Sequence, residues 1–461
     1  MRGLPMTAKP SPKTIRDPVH GDILVQVEDL PLLDSPEMQR LRGVRQLGSA
    51  FHVYPGAQHS RFEHSLGTYH VARRIIERIQ ANHRRDSASC RSIGSREAAV
   101  VRAVALLHDV THIPHGHAVE DQDGLFPRHD TAGLLRRAVS RGSLGRALRS
   151  RRILEPVAAH LTESSARRSR TPFMSLVANG PLGADMLDYL RRDAYFTGLR
   201  LDYDDRLLDY LKIDPKKGIV YVDLVKHNMD REDILTEIMN LLRSRYVSSE
   251  RIYYHHAKLA SDALISRAVE LAIMGGLTRN DVAAATDSAL LTLLREWSYD
   301  GHPLGEARAR TSLTKLLDRY EQRRLLKRCF VISRPSDEKL QDALVEGLIN
   351  SQKNRLRIEG EIAKALNVDD PAEVIAHCPN REMQLKEATV PVRRARKGIR
   401  PLSAYQDEFP ALQQLVEAYR DLWKLYVFVP AGEREDLALA GRRVERILGR
   451  TFPGIKNEYR P

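Results

Sequence analysis

The sequence has few cysteines and no long apolar run. Its three cysteines, Cys90, Cys329 and Cys378, are far apart in the chain and form no CxxC pair. This spacing argues against a disulfide framework and a zinc ribbon, and it favours a reducing compartment. Residues 1–14 lack the apolar core of a signal peptide, and no uninterrupted apolar stretch is long enough to span a bilayer. We therefore expect a cytoplasmic protein with no membrane partner.

The sequence also lacks a fixed-period repeat, a low-complexity tract and the composition of a disordered chain. Apolar residues make up 42% and charged residues 29% of its 461 residues, which is typical of a globular protein. A chain of this length exceeds one hydrophobic core, so we expect two or more domains. The formal net charge of +13 favours anionic partners such as nucleotides or nucleic acid, although a well-solvated arginine-rich surface gives the same total.

Helical periodicity dominates the first two thirds of the chain. The patterns predict a short hairpin over residues 15–27 and a small strand over residues 218–223. Helices are expected over residues 36–47, 62–81, 96–107, 185–192 and 230–275, and a further helix starts near Thr131. In the last third, strands at 329–333 and 425–430 are each followed by a helix, at 337–348 and 434–448. The basic segment 386–400 is expected to be a loop or an arm.

These patterns predict a mostly α-helical fold, a helical bundle with short β-hairpins and a small α+β C-terminal module. We expect three parts. Residues 1–14 form a flexible N-terminus, residues 15–315 form the core, and residues 316–461 form the C-terminal module, with a regulatory or oligomerisation role.

The dipeptide His108-Asp109, at the end of an apolar helical run, is the most informative feature of the chain. An adjacent imidazole and carboxylate can bind one cation, but such pairs also arise by chance. His64 upstream and Asp185 downstream strengthen the metal hypothesis, because three packed helices commonly build such a site. Taken singly, His64 could be a helix-terminal histidine and Asp185 an N-cap. Mixed nitrogen and oxygen ligands suit Mn, Fe, Mg, Ni or Zn, and the sequence does not choose among them.

A cluster of histidines follows the dipeptide within a short stretch of chain, namely His112, His115, His117 and His129. Histidine transfers protons near neutral pH, so a general acid or base is expected here. Glu120 could hold one imidazole in a single tautomer. Arg61 could neutralise a phosphate, or it could form an ordinary ion pair. Some of the histidines, His115 in particular, could simply line a wet loop.

Several segments carry a family resemblance. They read IRDPVHG (15–21), QRLR (39–42), QLG (46–48), YPGA (54–57), HSRFEHSLG (59–67), LHD (107–109), HGH (115–117) and DMLDYLRRD (185–193). In these segments the chain resembles the HD-domain phosphohydrolases, and it most resembles their deoxynucleoside triphosphate triphosphohydrolase branch, which includes proteins that join a sterile alpha motif to an HD domain. The resemblance covers residues 14–270, so it leaves the C-terminal third without a counterpart.

The resemblance implies metal-dependent hydrolysis of a deoxynucleoside triphosphate to deoxynucleoside and inorganic triphosphate, with one divalent metal per site and an additional Mg²⁺ on the nucleotide. It also assigns roles by position. The implied metal ligands are His64, His108, Asp109 and Asp185. The implied catalytic residues are His129, its orienting partner Glu120, and Asp109. The implied substrate-binding residues are Arg61, His112 and His117 on the phosphates, Gln46, Leu47, Tyr189 and Asp193 on the sugar, and Tyr254 packed on the substrate.

The resemblance further implies a homo-oligomer, a dimer or a tetramer, because nucleotide activators in this branch bind between subunits. Asp34, Gln39 and Arg42 match activator-site residues, although ordinary helix-surface charges would explain them equally well. Two positions depart from the pattern. Asp130 stands where family members usually have Glu, and Met186 replaces a lysine that helps to hold the triphosphate.

Two other functions stay open. The absence of a lysine at Met186 leaves room for an HD-type phosphatase, phosphodiesterase or nuclease that acts on another phosphate ester. A nucleic-acid-binding or signalling module with a secondary HD site is the third hypothesis. It rests on the basic clusters at residues 166–170 and 393–397, although such clusters are more often solvated loops.

Overall fold

The computed structural model describes residues 11–120, 125–162, 173, 180–299, 307–379, 383–430 and 432–461. Helices dominate these residues and the strands form small sheets, so the mostly α-helical fold is confirmed. The basic cluster at residues 166–170 lies outside the described residues. No helix in the described ranges has both the length and the apolar character needed to cross a membrane.

The chain begins with the predicted hairpin. Strand β1 (Lys13–Asp17) pairs antiparallel with β2 (Gly21–Val25). Lys13 and Thr14 are paired in this hairpin with Val25 and Leu24, so the expectation of a flexible segment through residue 14 is wrong at these two residues. The hairpin packs against the helix that carries the first predicted metal ligand.

The helix predicted over residues 36–47 is shorter than expected. After the short α1 (Leu30–Leu33), helix α2 (Pro36–Arg40) begins at Pro36, as predicted, and Ser35 is its N-cap. It gives way to 3-10 turns at Leu41–Gly43 and Gly48–His52. Gly48 has φ +52, a conformation that glycine tolerates best, so the chain turns at this point.

The next helices build the bundle. They are α3 (Arg61–Arg85), α4 (Ser95–Leu107), α5 (His117–Glu120), α6 (Ala132–Ser140), α7 (Gly142–Ser150), α8 (Leu154–Thr162) and α9 (Ala184–Thr197). Helix α3 packs against both α4 and α9. Ser60 and Glu63 form a capping box that fixes where α3 begins. The ends of these three helices therefore meet at one place.

The segment 230–275 is two helices instead of one. It follows the short strands β3 (Leu211–Ile213), β4 (Val220–Asp223), β5 (Val225–Lys226) and β6 (Met229–Asp230). Helices α10 (Glu232–Ser248) and α11 (His256–Met274) are separated by a π-helical turn at Ser249–Tyr253. The π turn ends the first helix, and α11 begins anew at His256 with His255 as its N-cap.

The last third contains the predicted strands and helices. Its elements are α12 (Arg279–Ala284), α13 (Asp287–Ser298), α14 (Ala307–Glu321), β7 (Lys327–Ser333), α15 (Glu338–Leu348), α16 (Gln352–Leu366), β8 (Ile375–His377), β9 (Pro391–Arg394), β10 (Gly398–Pro401), α17 (Pro410–Arg420), β11 (Lys424–Val429) and α18 (Arg434–Thr451). Strand β11 lies between β7 and β8 in an antiparallel sheet. This sheet and its helices form the expected α+β arrangement.

The segment 386–400 is not a loop or an arm. Strands β9 and β10 form a hairpin, and β9 pairs in parallel with β4 of the preceding part of the chain. The Arg393 guanidinium donates two hydrogen bonds of 2.7 Å to the Asp223 carboxylate, so its charge is satisfied within the fold. In addition, the division expected at residue 316 lies inside α14. The domain boundaries therefore stay a prediction.

Candidate active site

The predicted metal ligands come from the ends of three helices. His64 lies in the first turn of α3, His108 directly follows α4, and Asp185 lies in the first turn of α9. One ligand atom from each lies within 4.8 Å of those of the other two. Because α3 packs against α4 and α9, residues that are far apart in sequence meet in one buried pocket.

The reactive atoms of this group point at each other. His64 Nε2 lies 3.2 Å from His108 Nε2 and 3.0 Å from Asp185 Oδ1. Asp109 Oδ1 lies 3.5 Å from His108 Nε2, while Asp109 Oδ2 lies 3.9 Å from His64 Nε2. The four predicted ligands are therefore brought together, with Asp109 at the edge of the group.

The other ring nitrogen of each histidine already has a partner. His64 Nδ1 lies 2.8 Å from Asp188 Oδ2, and His108 Nδ1 lies 2.9 Å from the Ala105 carbonyl oxygen. Both partners are acceptors, so each Nδ1 donates its hydrogen to them, and each Nε2 can present a lone pair to the pocket when a metal replaces any proton there. Two lone pairs and two carboxylates that face each other suit a divalent cation. The donor set fits the predicted metal without selecting its identity.

The pKa shifts of His64 and Asp109 also favour a positive charge in this pocket. Burial opposes a charge on His64, but hydrogen bonds to Asp185 and Asp188 outweigh it and raise the pKa of His64 to about 10. Burial likewise opposes a charge on Asp109, yet the neighbouring His108, His112 and Arg61 hold its pKa well below the usual range. Asp109 thus stays ionised, and its negative charge favours a cation in this pocket.

Asp188 is a site residue that we did not predict from the sequence. Besides His64, it accepts hydrogen bonds from His20 Nε2 (2.6 Å) and from Arg192 (2.9 Å to each oxygen). Arg192 also donates to Asp17 at 2.8 Å. The N-terminal hairpin is thereby connected to a predicted metal ligand through buried ion pairs. The DMLD spacing was visible in the sequence, but its first Asp alone was assigned a role.

His112, Glu120 and His129 form a second group beside the first. His129 Nδ1 lies 2.8 Å from Glu120 Oε2, and the His129 and His112 rings are stacked with centroids 3.4 Å apart. Glu120 Oε1 lies 3.3 Å from His112 Nδ1, while Asp109 Oδ1 lies 3.3 Å from His112 Nε2. A continuous chain of polar groups thus joins the metal pocket to His129.

The same geometry sets the protonation of this second group. Burial and the charge of His112 lower the pKa of His129, and the Glu120 carboxylate opposes that shift. Glu120 itself is buried, but the imidazoles of His112 and His129 lower its pKa. Glu120 is therefore an anion that fixes the His129 ring and stabilises its protonated form.

Two more predicted phosphate contacts border the pocket. Arg61 Nη1 donates to Asp109 Oδ2 at 2.6 Å, and Arg61 is buried. His117 has half of its side chain exposed, with its ring 5.2 Å from that of His129. A Cβ on Gly116 (φ +42) would come within 2.8 Å of Arg61 Nη2. Glycine at this position therefore lets the backbone pass close to the guanidinium.

The predicted sugar residues lie on the other side of His64. The Tyr189 ring lies 6.3 Å from those of both His64 and Tyr253. Tyr253 donates its hydroxyl hydrogen to Asp193 Oδ2 at 2.6 Å, and the other Asp193 oxygen lies 2.9 Å from His59 Nε2. His59 and Tyr253 were not predicted, although His59 stands in the HSRFEHSLG segment.

The role of Tyr254 stays a prediction. Tyr254 packs against the main apolar core, whereas Tyr253 packs with Leu47 and contacts Asp193. Tyr253 is the last residue of the π turn at Ser249–Tyr253, and it is the tyrosine that donates to Asp193. No periodicity in the sequence marks such a turn.

Gln46 and Leu47 lie beside these residues. The Gln46 amide nitrogen of the backbone donates to the His59 carbonyl at 3.0 Å, and Leu47 is buried against Tyr253 and Ile252. Gln46 Oε1 is buried with no hydrogen-bond partner among the described residues. An unpaired buried oxygen costs about 1–3 kcal/mol, so a donor from a bound molecule would satisfy it.

Arg245 is a further positively charged residue at the site, and the sequence did not predict it. The Arg245 guanidinium lies 5.4 Å from the Tyr189 ring centroid and 5.3 Å from that of Tyr253. Its partial counter-ion is Glu387, with Oε1 at 3.4 Å from Nε. Met186, which stands at the position of the family lysine, is instead buried in the core. Arg245 thus brings a positive charge to this side of the site.

The loop that bears His112 is held from behind. Arg40 donates to the carbonyls of His112 (2.6 Å) and Val110 (3.3 Å), and the His115 amide nitrogen lies 3.3 Å from Asp287 Oδ1. His115 has φ +58 and is buried. It does not line a wet loop, because its ring packs edge-on against Tyr320.

Two of the three predicted activator residues, Gln39 and Arg42, contact each other. Arg42 Nε donates to Gln39 Oε1 at 2.8 Å, and its guanidinium stacks on Phe62 at 3.6 Å. Asp34 pairs with Lys13 at 3.3 Å. A shallow surface pocket is lined by Arg42 and Phe62, but not by Asp34 or Gln39. The activator role stays a prediction.

Comparisons with known proteins agree with this geometry. The sequence pattern of the family described as HD domain matches residues 61–195, the stretch that contains all four predicted ligands. Residues 61–195 therefore form an HD domain, and the chain is similar to the HD-domain phosphohydrolases. The pattern described as HD associated region matches residues 231–450. Both Arg245 and Tyr253 come from this second region.

Individual relatives of this HD-domain protein are distant. An uncharacterized protein of Methanocaldococcus jannaschii is 31% identical over 286 residues, which is 61% of this chain and 55% of that protein. The deoxynucleoside triphosphate triphosphohydrolase SAMHD1 of Bos taurus is 26% identical over 286 residues, or 56% and 47% of the two chains. The chain thus spans about half the length of the curated relatives it matches.

Solved structures show the same fold. A hypothetical protein from Aquifex aeolicus superposes with a TM-score of 0.65 at 22% identity, covering 94% of this chain and 100% of that one. A phosphohydrolase from Bacteroides thetaiotaomicron gives a TM-score of 0.66 at 20% identity, with coverage of 91% and 100%. The fold of this HD-domain protein therefore extends over both matched regions.

Proposed function

We propose that this HD-domain protein hydrolyses deoxynucleoside triphosphates to deoxynucleoside and inorganic triphosphate. The observation that carries the proposal is the continuous site. A pocket suited to a cation has the predicted phosphate-binding histidines on one side. On its other side lie the residues that would face the sugar, namely Leu47, Tyr189, Tyr253 and Asp193. The similarity to the bovine triphosphohydrolase supports the same substrate class.

His64, His108, Asp109 and Asp185 would hold one divalent metal. Such a metal supplies Lewis-acid stabilisation of negative charge on a phosphate and on an attacking water. The chain itself prepares the pocket for it. Asp188 and the Ala105 carbonyl fix both imidazoles with Nε2 facing inward, and Arg61 keeps Asp109 ionised and oriented.

The histidine group would handle the proton. Water attacks the α-phosphorus, the bond from phosphorus to the 5′-oxygen breaks, and His129 gives its Nε2 proton to the departing oxygen. Glu120 holds His129 Nδ1 at 2.8 Å and so favours the protonated ring. An anionic triphosphate near His112 and His117 would further raise the protonated fraction of His129, because a nearby opposite charge favours the charged form of a group.

The sugar end would select deoxyribose by shape. The Gln46 side-chain oxygen is the unpaired acceptor for a sugar hydroxyl, and Leu47 closes the wall where a ribose 2′-hydroxyl would need space and a partner. Arg245 would supply, next to Tyr189, the positive charge that Met186 does not.

The test identifies products. Protein loaded separately with Mn²⁺ or Mg²⁺ is incubated with each deoxynucleoside triphosphate, singly and mixed, and the products are separated. Deoxynucleoside with triphosphate in equal amounts supports the proposal, while activity in mixtures alone supports a nucleotide activator and the predicted oligomer. Release of orthophosphate or of a nucleoside monophosphate would instead favour the second hypothesis, an HD-type phosphatase, phosphodiesterase or nuclease.

A further inference from the structure

Helices α6 and α7 carry a set of exposed arginines. Residues 131–154 contain seven arginines and neither Asp, Glu nor Lys. Six of these arginines are exposed, and we call them the arginine face, namely Arg136, Arg137, Arg141, Arg146, Arg149 and Arg152. The apolar residues of the same helices, Leu135, Val139, Leu144 and Leu148, are buried in the core. The two helices therefore present their charge to solvent.

The arginine face is poorly neutralised by the protein itself. Arg136 pairs with Glu155 at 2.8 Å, but both side chains are mostly exposed, and Arg149 donates to the Ser140 carbonyl. Across the described ranges, Arg137, Arg141 and Arg146 have no carboxylate within 4 Å. Glu37 lies nearby at the start of α7, where it accepts a hydrogen bond from Ser143. These three arginines therefore carry positive charge that a bound anionic partner would neutralise.

Other arginines of this protein differ in this respect. In α18, the exposed Arg442, Arg446 and Arg450 share their helix with Glu435, Asp436 and Glu445. Helices α6 and α7, in contrast, contain no acidic residue, so their arginines have no carboxylate within their own helices. An arginine guanidinium can donate two parallel hydrogen bonds to the oxygens of one phosphate. A group of exposed arginines therefore suits a backbone of repeating phosphates.

The chemistry of the face narrows the partner to double-stranded nucleic acid. None of the large exposed apolar side chains lies between residues 131 and 154. Binding of a single strand uses aromatic side chains as a stacking platform, and insertion into a membrane surface uses exposed apolar ones. We propose that the arginine face binds the phosphate backbone of double-stranded nucleic acid without reading its sequence. This binding is independent of the hydrolytic site.

The test is fluorescence anisotropy with a labelled DNA duplex of about 24 base pairs, titrated between about 50 and 200 mM KCl. The intact protein should bind, with an affinity that falls steeply with salt. The variant that combines Arg137→Ser, Arg141→Ser and Arg146→Ser should lower the log–log salt slope by about 3, since each phosphate contact contributes roughly 0.9. The matched control combines Arg442→Ser, Arg446→Ser and Arg450→Ser, and it should leave the slope unchanged.

Four results would overturn the proposal. They are no duplex binding at low salt, an equal loss in both triple variants, tighter binding to the corresponding single strand, and preferential binding to vesicles that contain phosphatidylglycerol. All six substituted side chains are exposed, so thermal melting should show both variants folded. Nucleotide hydrolysis should be the same in both, which separates this surface from the proposed active site.

Discussion

At the metal end of the site, each histidine is held by a hydrogen-bond acceptor behind it, whereas at the sugar end one carboxylate joins two aromatic rings beside an apolar wall. His64 depends on Asp188, and Asp188 in turn depends on Arg192. Asp193 contacts only His59 and Tyr253 among the described side chains. Charge thus fixes the first end and shape fixes the second, so substitutions should act through metal and turnover at one and through substrate affinity at the other.

The metal ligands should show the largest effect. His108→Ala removes one of the two facing Nε2 atoms, and we expect loss of bound metal together with at least about a thousandfold loss of turnover. Metal analysis of the purified variant, alongside the product assay, measures both quantities. His83→Ala is the matched control, since that half-exposed histidine of α3 lies within hydrogen-bond distance of the Cys90 carbonyl and is not a predicted ligand. A His108→Ala variant that keeps its metal would remove His108 from the ligand set.

His129 should separate turnover from metal binding. His129→Ala removes the proposed proton donor but no ligand, so kcat should fall about 10²–10⁴-fold with metal content unchanged. Glu120→Gln keeps the hydrogen-bond length but loses the negative charge that favours protonated His129. It should therefore lower kcat less than His129→Ala does. It should also lower the pKa of His129, so that the rate, as the pH rises, begins to fall at a lower pH than in the intact protein. A fully active His129→Ala variant would exclude the proposed acid.

Asp188 tests whether the charged support of the metal end matters. Asp188→Asn can still accept from His64 but brings no charge, and such outer partners change metal affinity by about 10–100-fold. We expect that loss by titration with Mn²⁺, with kcat largely recovered at saturating metal. Asp205→Asn, which breaks partly exposed pairs with Arg74 and Arg191, is the control and should leave metal affinity unchanged. An unaltered affinity in Asp188→Asn would mean that the Nδ1 partner is dispensable.

This contrast also explains what the sequence could reveal. His64, His108, Asp109 and Asp185 were predictable because few residue types bind metal or move protons, and the structure brings them together. The fold class followed from helical periodicity in the same way. Tyr253, Arg245 and the β9 hairpin were not predictable, since a π turn and a parallel pairing of distant strands leave no local pattern. Shape is a property of the packed chain.

The smallest effect should come from the tyrosine at the sugar end. Tyr253→Phe removes the hydroxyl that donates to Asp193 at 2.6 Å while keeping the ring that packs on Leu47. A hydrogen bond to a charged group contributes at least about 1.5 kcal/mol, so KM for a deoxynucleotide should rise at least about tenfold with kcat nearly constant. Tyr254→Phe is the matched control, because that ring packs against the main core instead. If Tyr254→Phe raised KM and Tyr253→Phe did not, the placement of Tyr253 at the sugar end would be wrong, and the sugar wall would need to be rebuilt around Tyr254.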